Sequence, residues 1–371
     1  MQEFKKIAII KLSAIGDVVH ALPVAAGLRE RYPGAHIAWI VQGKCREILE
    51  GNPDLDEVII FDKARWLLEA PYPHKTVSIL REIYRFGSQL RRAGFDLAID
   101  LQGLIKSGVL AWLTGAGTRI GFSADYCREP ANARFTNCHV TPSTRDVHII
   151  DQCLSLVREL GADTGRRQFK IHIPEEDHVY ISTFLEKKQG QMSNDAGHSS
   201  RGNGSKGNGS NVPKDSPLVL INPGAGWETK LWGEENYAAL ADRIVSDLGG
   251  TVVFLWGPSE RLMVKSIRKK MHQPSILACP TNLKQSLALM QRAHLFVAGD
   301  TGPLHMAAAL GTPCLGIYGP TSPERNGPYG DIHRVVQTDV PCKGCFRRFC
   351  SRALCMESIS VDQVMEAIRM M

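Results

Sequence analysis

Short β-branched runs alternate with longer amphipathic stretches along most of this chain, and no other feature constrains the fold as tightly. KKIAIIKL precedes a stretch from Asp17 to Arg31, HIAWIV and EVIIF precede one from Thr76 to Ala93, and DLAIDL precedes one from Leu104 to Leu113. Nearly continuous apolar runs separated by helix-length segments are what a parallel sheet covered on both faces demands. The rhythm then restarts: LVLIN with Glu234 to Leu248, TVVFLW with Ser259 to Met271, HLFVAGD with Pro303 to Leu310, and finally CLGIYG. At 371 residues the chain accommodates two such units. The expectation is two Rossmann-like domains in tandem, whose ligands sit beyond the carboxyl ends of the strands.

Between the units runs GQMSNDAGHSSRGNGSKGNGSNVPKDSP, Gly190 to Pro217, too poor in apolar residues to offset the entropy of ordering it. The expected division is residues 1–173 for the first domain, 174–217 for a connecting helix and flexible insertion, and 218–371 for the second domain with a cysteine-rich tail. Lys plus Arg at 44 against Asp plus Glu at 38 gives +6, too mild a charge to argue for nucleic acid. The four apolar residues between Lys6 and Lys11 fall short of a signal peptide, and no apolar run reaches the roughly 18 residues of a spanning helix. A cytoplasmic protein with reduced thiols is expected, with peripheral contact at the inner face of the inner membrane left open.

The chemistry-bearing motifs follow the strands. KLSAIGDVVHALP runs from a strand through Gly16 and Asp17 into a helix; Asp17 reads equally as a helix N-cap or a catalytic acid. Neither GxGxxG nor GxxxxGK[ST] stands at any strand end, so dinucleotide oxidoreductases and P-loop hydrolases lose their main support. INPGAGWETKLW places Lys230 after a Gly-rich turn, where a cation beside free amides suits a phosphate, although a surface lysine in a plain loop is the commoner case. Glu260, opening a helix after TVVFLWGPS, suits ribose hydroxyls or simply complements the helix dipole. In GDTGPLHMAAALGTP, Asp300, Thr301, Gly302 and His305 gather amides, a hydroxyl and an imidazole around one helix start, an arrangement fitted to a pyrophosphate.

Taken together, GDVVHALP, NPGAGW and DTGPLHMAAALGTP resemble the matching blocks of the bacterial lipopolysaccharide heptosyltransferases, glycosyltransferase family nine. The resemblance implies a GT-B fold, two Rossmann-like domains facing across a cleft. It further implies inverting transfer of heptose from ADP-heptose to the inner core, Kdo or a first heptose, of a lipid A-linked acceptor. Carried over residue by residue, Asp17 matches the general base, and Thr229, Lys230, Glu260, Asp300, Thr301, Gly302 and His305 match the donor site. Base and pyrophosphate site then meet only when the domains close. Basic residues of the first domain, here Lys63, Arg65, Arg119 and Arg128, correspond to the acceptor side. No cofactor is required if Lys230 and helix amides neutralise the diphosphate. The alternative is a non-catalytic nucleotide-sugar binding module of the same architecture, which has no use for a carboxylate at Asp17.

The tail PCKGCFRRFCSRALCMES spaces Cys342, Cys345, Cys350 and Cys355 as C-x2-C-x4-C-x4-C. Such thiols can hold a structural zinc or an iron–sulfur cluster, or simply pack a C-terminal loop in the reduced state. The row Arg81, Arg85 and Arg92 reads as a solvated helix face or as a contact for anionic headgroups.

Overall fold

The computed structural model of the chain describes residues 3–61, 76–163, 165–198, 216–352 and 354–371, by backbone alone over 76–80 and 189–198. Two compact units emerge, Met1–His172 and Ile173–Met371. Lys63 and Arg65 lie outside the described residues, as does 199–215 of the Gly/Ser/Asn-rich segment.

The first unit is an all-parallel sheet of β1 (Lys6–Ile10), β2 (His36–Val41), β3 (Glu57–Ile60), β4 (Leu97–Asp100), β5 (Thr118–Phe122) and β6 (Cys138–Val140), in the order β3-β2-β1-β4-β5-β6. Its helices are α1 (Ile15–Arg31), α2 (Thr76–Arg92), α3 (Ile105–Leu113) and α4 (Ile149–Arg158). The second unit repeats the arrangement with β7 (Leu218–Asn222), β8 (Thr251–Phe254), β9 (Ile276–Leu277), β10 (Leu295–Gly299), β11 (Cys314–Tyr318) and β12 (Arg334–Gln337), in the order β12-β11-β10-β7-β8-β9. Its helices are α5 (Glu175–His198), α6 (Glu234–Leu248), α7 (Arg261–Lys270), α8 (Leu283–Gln291), α9 (Gly302–Ala309), α10 (Pro323–Asn326), α11 (Leu354–Glu357) and α12 (Val361–Arg369). The helix read in the sequence as part of a connector, α5, packs on α8 and belongs with the second unit.

The central strands are buried end to end, as in KIAII after its first residue, LVLIN and LFVAG, because helices cover both faces. The strands that form no apolar run are β5 and the edges β6, β9 and β12. The edge strands β6 and β12 are half exposed, so their sequences carry no continuous burial signal. In the second unit Trp232, Tyr237 and Phe254 fill the core, each contributing a few kcal/mol by burial. The chain end is tied to this core: Trp232 Nε1 donates to the Ile359 carbonyl at 2.8 Å, and Ser360 with Gln363 forms a capping box that starts α12.

Both sheets reverse strand order at one place, between β1 and β4 and between β7 and β10. Register aligns Ile10 with Asp100 in the first case and Asn222 with Ala298 in the second. The loops leaving these strand pairs diverge to opposite faces and leave a crevice, the usual ligand position in a doubly wound sheet.

Candidate active site

At the switch point of the second sheet, the loop after β7 folds into a single tight turn, Glu228–Lys230, that buries Thr229 and Lys230. Lys230 Nζ reaches the first residue after β10: it stands 2.6 Å from Asp300 Oδ2 and 2.9 Å from the Asp300 carbonyl. His305 Nε2 meets the other carboxylate oxygen, Oδ1, at 3.1 Å. Burial by itself would raise the Asp300 pKa, but the His305 hydrogen bond and the charges of His305 and Lys230 outweigh it and hold the carboxyl well below the usual carboxylate range. Thr301 is the N-cap of α9, yet its hydroxyl does not cap the helix; Oγ1 is buried without a protein partner. That hydroxyl and the amides opening α9 are therefore available to an anion at the helix start.

The third loop of this group follows β8. Asn222 closes β7 and donates Nδ2 to the Leu255 carbonyl at 3.2 Å and to Glu260 Oε2 at 3.3 Å, while Gly257 N–H donates to the same oxygen at 2.8 Å. Glu260 itself is the N-cap of α7 without a capping hydrogen bond, so its carboxylate is turned back over the β7 loop. Gly224 is glycine for that reason: a Cβ there would stand 1.8 Å from Glu260 Oε1. Seven residues expected at a donor site, Thr229, Lys230, Glu260, Asp300, Thr301, Gly302 and His305, thus lie on the loops and first helical turns that follow the adjacent strands β7, β8 and β10.

In the first unit, Asp17 occupies the third position of α1, and the N-cap is Ala14 rather than Asp17. The Asp17 carboxylate reaches back to the start of the helix, with Ala14 N–H donating to Oδ2 at 3.1 Å. It serves as the acidic half of a capping box whose other half is missing, because the alanine side chain has no oxygen to accept from the Asp17 amide. The loop before it is clamped from β4: Gln102 Oε1 accepts from Leu12 N–H at 2.9 Å and Ser13 N–H at 3.3 Å, while Nε2 donates to the Ser13 carbonyl at 2.9 Å. Gln102 is held in turn by Asp100, which accepts from the Gln102 and Gly103 amides, from Ser107 Oγ at 2.9 Å and from Asn132 Nδ2 at 2.6 Å. Burial pushes the Asp100 pKa up, and these donors offset that only in part.

The basic residues expected on the acceptor side separate here. Arg119 donates through Nε to the Phe135 carbonyl at 3.0 Å and through Nη1 to the Ala116 carbonyl at 2.7 Å, so its guanidinium braces backbone. Arg128 is exposed, and its neighbour Glu129 accepts from Ile105 N–H at the start of α3, beyond the carboxyl end of β4. In the tail, Cys342, Cys345 and Cys350 are exposed and Cys355 is buried. Among the described residues no three His, Cys, Asp or Glu side chains converge as metal ligands would. Burial raises the Cys355 pKa first, and the neighbouring Cys342 and Cys345 raise it further.

Sequence reasoning passed over Trp227, Gln102 and Asp100. Trp227 sits inside the NPGAGW motif, and Lys230 Nζ lies 3.8 Å from its ring centroid, a cation-π contact. The signal for Gln102 was its place just after the run DLAIDL, where a parallel sheet puts functional residues. Asp100 was a carboxylate at the end of an apolar strand, which has to be satisfied locally if it is buried.

Residues 83–355 match the family described as glycosyltransferase family 9 (heptosyltransferase). Lipopolysaccharide heptosyltransferase 1 of Pseudomonas aeruginosa is 28% identical over 350 residues, 93% of this chain and 87% of its own. The lipopolysaccharide core heptosyltransferase OpsX of Haemophilus influenzae is 26% identical over 335 residues, 90% of this chain and 84% of its own. Among solved structures, the glycosyl transferase family 9 protein from Veillonella parvula superposes with a TM-score of 0.75 at 25% identity, covering 99% of this chain and 97% of that one. The E. coli heptosyltransferase WaaC with ADP gives 0.73 at 22% identity, covering 98% and 99%. With the family match spanning most of its length and each half carrying the same Rossmann-type sheet, this chain belongs to glycosyltransferase family 9, the heptosyltransferase family, and has the GT-B fold.

Proposed function

We propose that this enzyme transfers heptose from ADP-heptose to the inner core, Kdo or a first heptose, of a lipid A-linked oligosaccharide, with inversion at the anomeric carbon. The observation that carries the reading is the Lys230, Asp300, Thr301 and His305 constellation at the switch point of the second sheet, in a chain whose family and relatives are named as heptosyltransferases. In this reading the amides opening α9 and the Thr301 hydroxyl receive the diphosphate as its charge grows. Asp300 and His305 are positioning residues that hold the Lys230 ammonium in place. Glu260 accepts from the ribose hydroxyls.

Asp17 takes the acceptor hydroxyl's proton as that oxygen attacks the anomeric carbon and the bond to ADP breaks. Its Oδ2 is steadied by Ala14 N–H, and Oδ1 has no protein partner among the described residues. Arg128, with Lys63 and Arg65, is assigned to the anionic acceptor. No helix among the described residues is long and apolar enough to cross a membrane. Peripheral contact with anionic headgroups is assigned to α2, where Arg81 and Arg85 are exposed beside Ile83 and the largely exposed Tyr84. A thermal-shift panel of ADP- and UDP-sugars tests the donor assignment. A ligand at about 100 times its Kd adds about 2.7 kcal/mol, and ADP-heptose is expected to stabilise most; preference for a uridine nucleotide overturns the reading.

A further inference from the structure

The Lys230 ammonium is committed before any ligand arrives. Its contacts at 2.6 Å and 2.9 Å are to the carboxylate and carbonyl of Asp300, so the pair presents no net charge to an incoming anion. The amides of α9 add only partial charge. A sugar diphosphate, the substrate class proposed above, carries two negative charges and is better matched by a second full cation beside this pair.

The tail brings one. Thr229 Oγ1, one residue before Lys230, donates to the Arg347 carbonyl at 2.8 Å. Gly344 N–H donates to the Gly319 carbonyl at 3.2 Å and Phe346 N–H to the Pro320 carbonyl at 2.7 Å, both on the loop after β11. The segment from Gly344 to Arg347 is therefore fastened to the loops leaving β7 and β11. Packing is close enough that a Cβ at Gly319 would stand 2.5 Å from Met356 Sδ and 3.1 Å from Cys355 Sγ. So fastened, the tail sets the Arg348 guanidinium carbon 5.2 Å from the centroid of the Trp227 ring, the same indole that Lys230 Nζ approaches to 3.8 Å. Arg348 is exposed and makes no ion pair among the described residues. A guanidinium resting on an aromatic face keeps its N–H fork free for phosphate oxygens.

We propose that Arg348, carried by the cysteine-containing tail and seated on Trp227, is a donor-binding residue that supplies the full positive charge for the diphosphate, with Thr229 positioning it. The inference rests on the ADP-sugar reading. The tail's function is then to deliver a cation to the donor loops, and its cysteines shape the segment that does so.

The test is calorimetric titration of ADP and of AMP into the full chain and its Arg348→Gln, Arg348→Lys and Arg352→Gln variants. A hydrogen-bonded charge contact corresponds to about ten- to hundred-fold in affinity. Arg348→Gln should lose that much for ADP while AMP binding changes by less than about three-fold. Arg348→Lys should fall between the two, and Arg352→Gln, which removes an equal charge from the same exposed tail, should match the wild type. ADP binding should also become less sensitive to salt in Arg348→Gln. Unchanged ADP affinity in Arg348→Gln overturns the proposal, and so does an equal loss for ADP and AMP, which is the mark of a merely structural tail. A wild-type chain that binds neither nucleotide overturns the ADP-sugar reading itself, a result distinguishable from the other two.

Discussion

Lys230 Nζ and Asp300 Oδ2 stand 2.6 Å apart and join the loops that leave the neighbouring strands β7 and β10. Both side chains are nearly excluded from solvent, at 9% and 6% exposure, so neither charge can fall back on water if the other is lost. Removing one partner of a buried pair typically costs about 3–5 kcal/mol, whereas replacing both by apolar groups of similar volume is often neutral. Lys230→Ala should therefore lower stability by that order as well as weaken donor binding. Lys230→Met combined with Asp300→Leu should recover most of the stability and none of the binding. Urea unfolding of Lys230→Met, of Asp300→Leu and of the double checks this, and losses that simply add would contradict it.

Gln102 carries the equivalent link in the first unit, with three hydrogen bonds to Leu12 and Ser13. These bonds fix the loop that leads into α1 and so the helix start that carries Asp17, so Gln102→Ala should displace the carboxylate without touching the donor loops. Misplacement of a catalytic group by about 1 Å can cost about 100-fold. The expected outcome is a kcat lower by about 10- to 100-fold with ADP affinity unchanged, read from steady-state rates alongside ADP titration. A loss confined to KM for the donor would place Gln102 elsewhere in the mechanism.

The two links show what was legible in the chain. The buried strands β1, β2, β4, β7, β8, β10 and β11 announce themselves as apolar runs, and the helix Glu234–Leu248 keeps the bounds its periodicity suggests. Strands β6 and β12 were hidden because these edges bury too little to need an apolar run, and β9 because it is only two residues long. At the candidate site, Lys230, Asp300 and His305 could be picked out as residue types beside glycines. Their pairing could not, because Lys230 and Asp300 are 70 positions apart and meet only through strand order. Arg119 was indistinguishable from Arg128 in sequence, since nothing local reveals that its guanidinium is spent on the Phe135 and Ala116 carbonyls.

Acid sensitivity should have a local signature at Asp146. The Arg158 hydrogen bond, outweighing burial and aided by Ser143, brings its pKa down from 3.8 to about 2. The folded value lies below the unfolded one, so this contribution is complete above 3.8 and is lost as pH falls toward about 2. Asp146→Asn should be less stable than wild type at neutral pH, with the gap closing across that interval in denaturant unfolding at stepped pH. A gap that stays constant down to pH 2 would show that the Arg158 pair contributes nothing.

Thiol reactivity reports on the tail. Of the ten cysteines, Cys138, Cys342, Cys345 and Cys350 are exposed. Burial, with Cys342 and Cys345 nearby, raises the Cys355 pKa and leaves little thiolate there. A native titration with a thiol reagent at pH 8 should show four fast equivalents, with Cys355 reacting only slowly or after denaturation. Protection of Cys342, Cys345 and Cys350 that a chelator relieves would instead identify a bound metal.

The central claim, heptosyl transfer with Asp17 as the base, is tested most directly by supplying ADP-heptose and a lipid A-linked inner-core acceptor to the wild-type chain and to Asp17→Asn, and measuring the glycosylated acceptor by mass spectrometry alongside ADP binding. Asparagine can still accept the Ala14 N–H bond, so the helix start should survive while the proton acceptor is lost. The account predicts one added heptose with wild type, turnover lower by about 10²- to 10⁴-fold in the variant, and equal ADP affinity in both. Wild type that transfers no heptose, or a variant that keeps most of the activity, would contradict it.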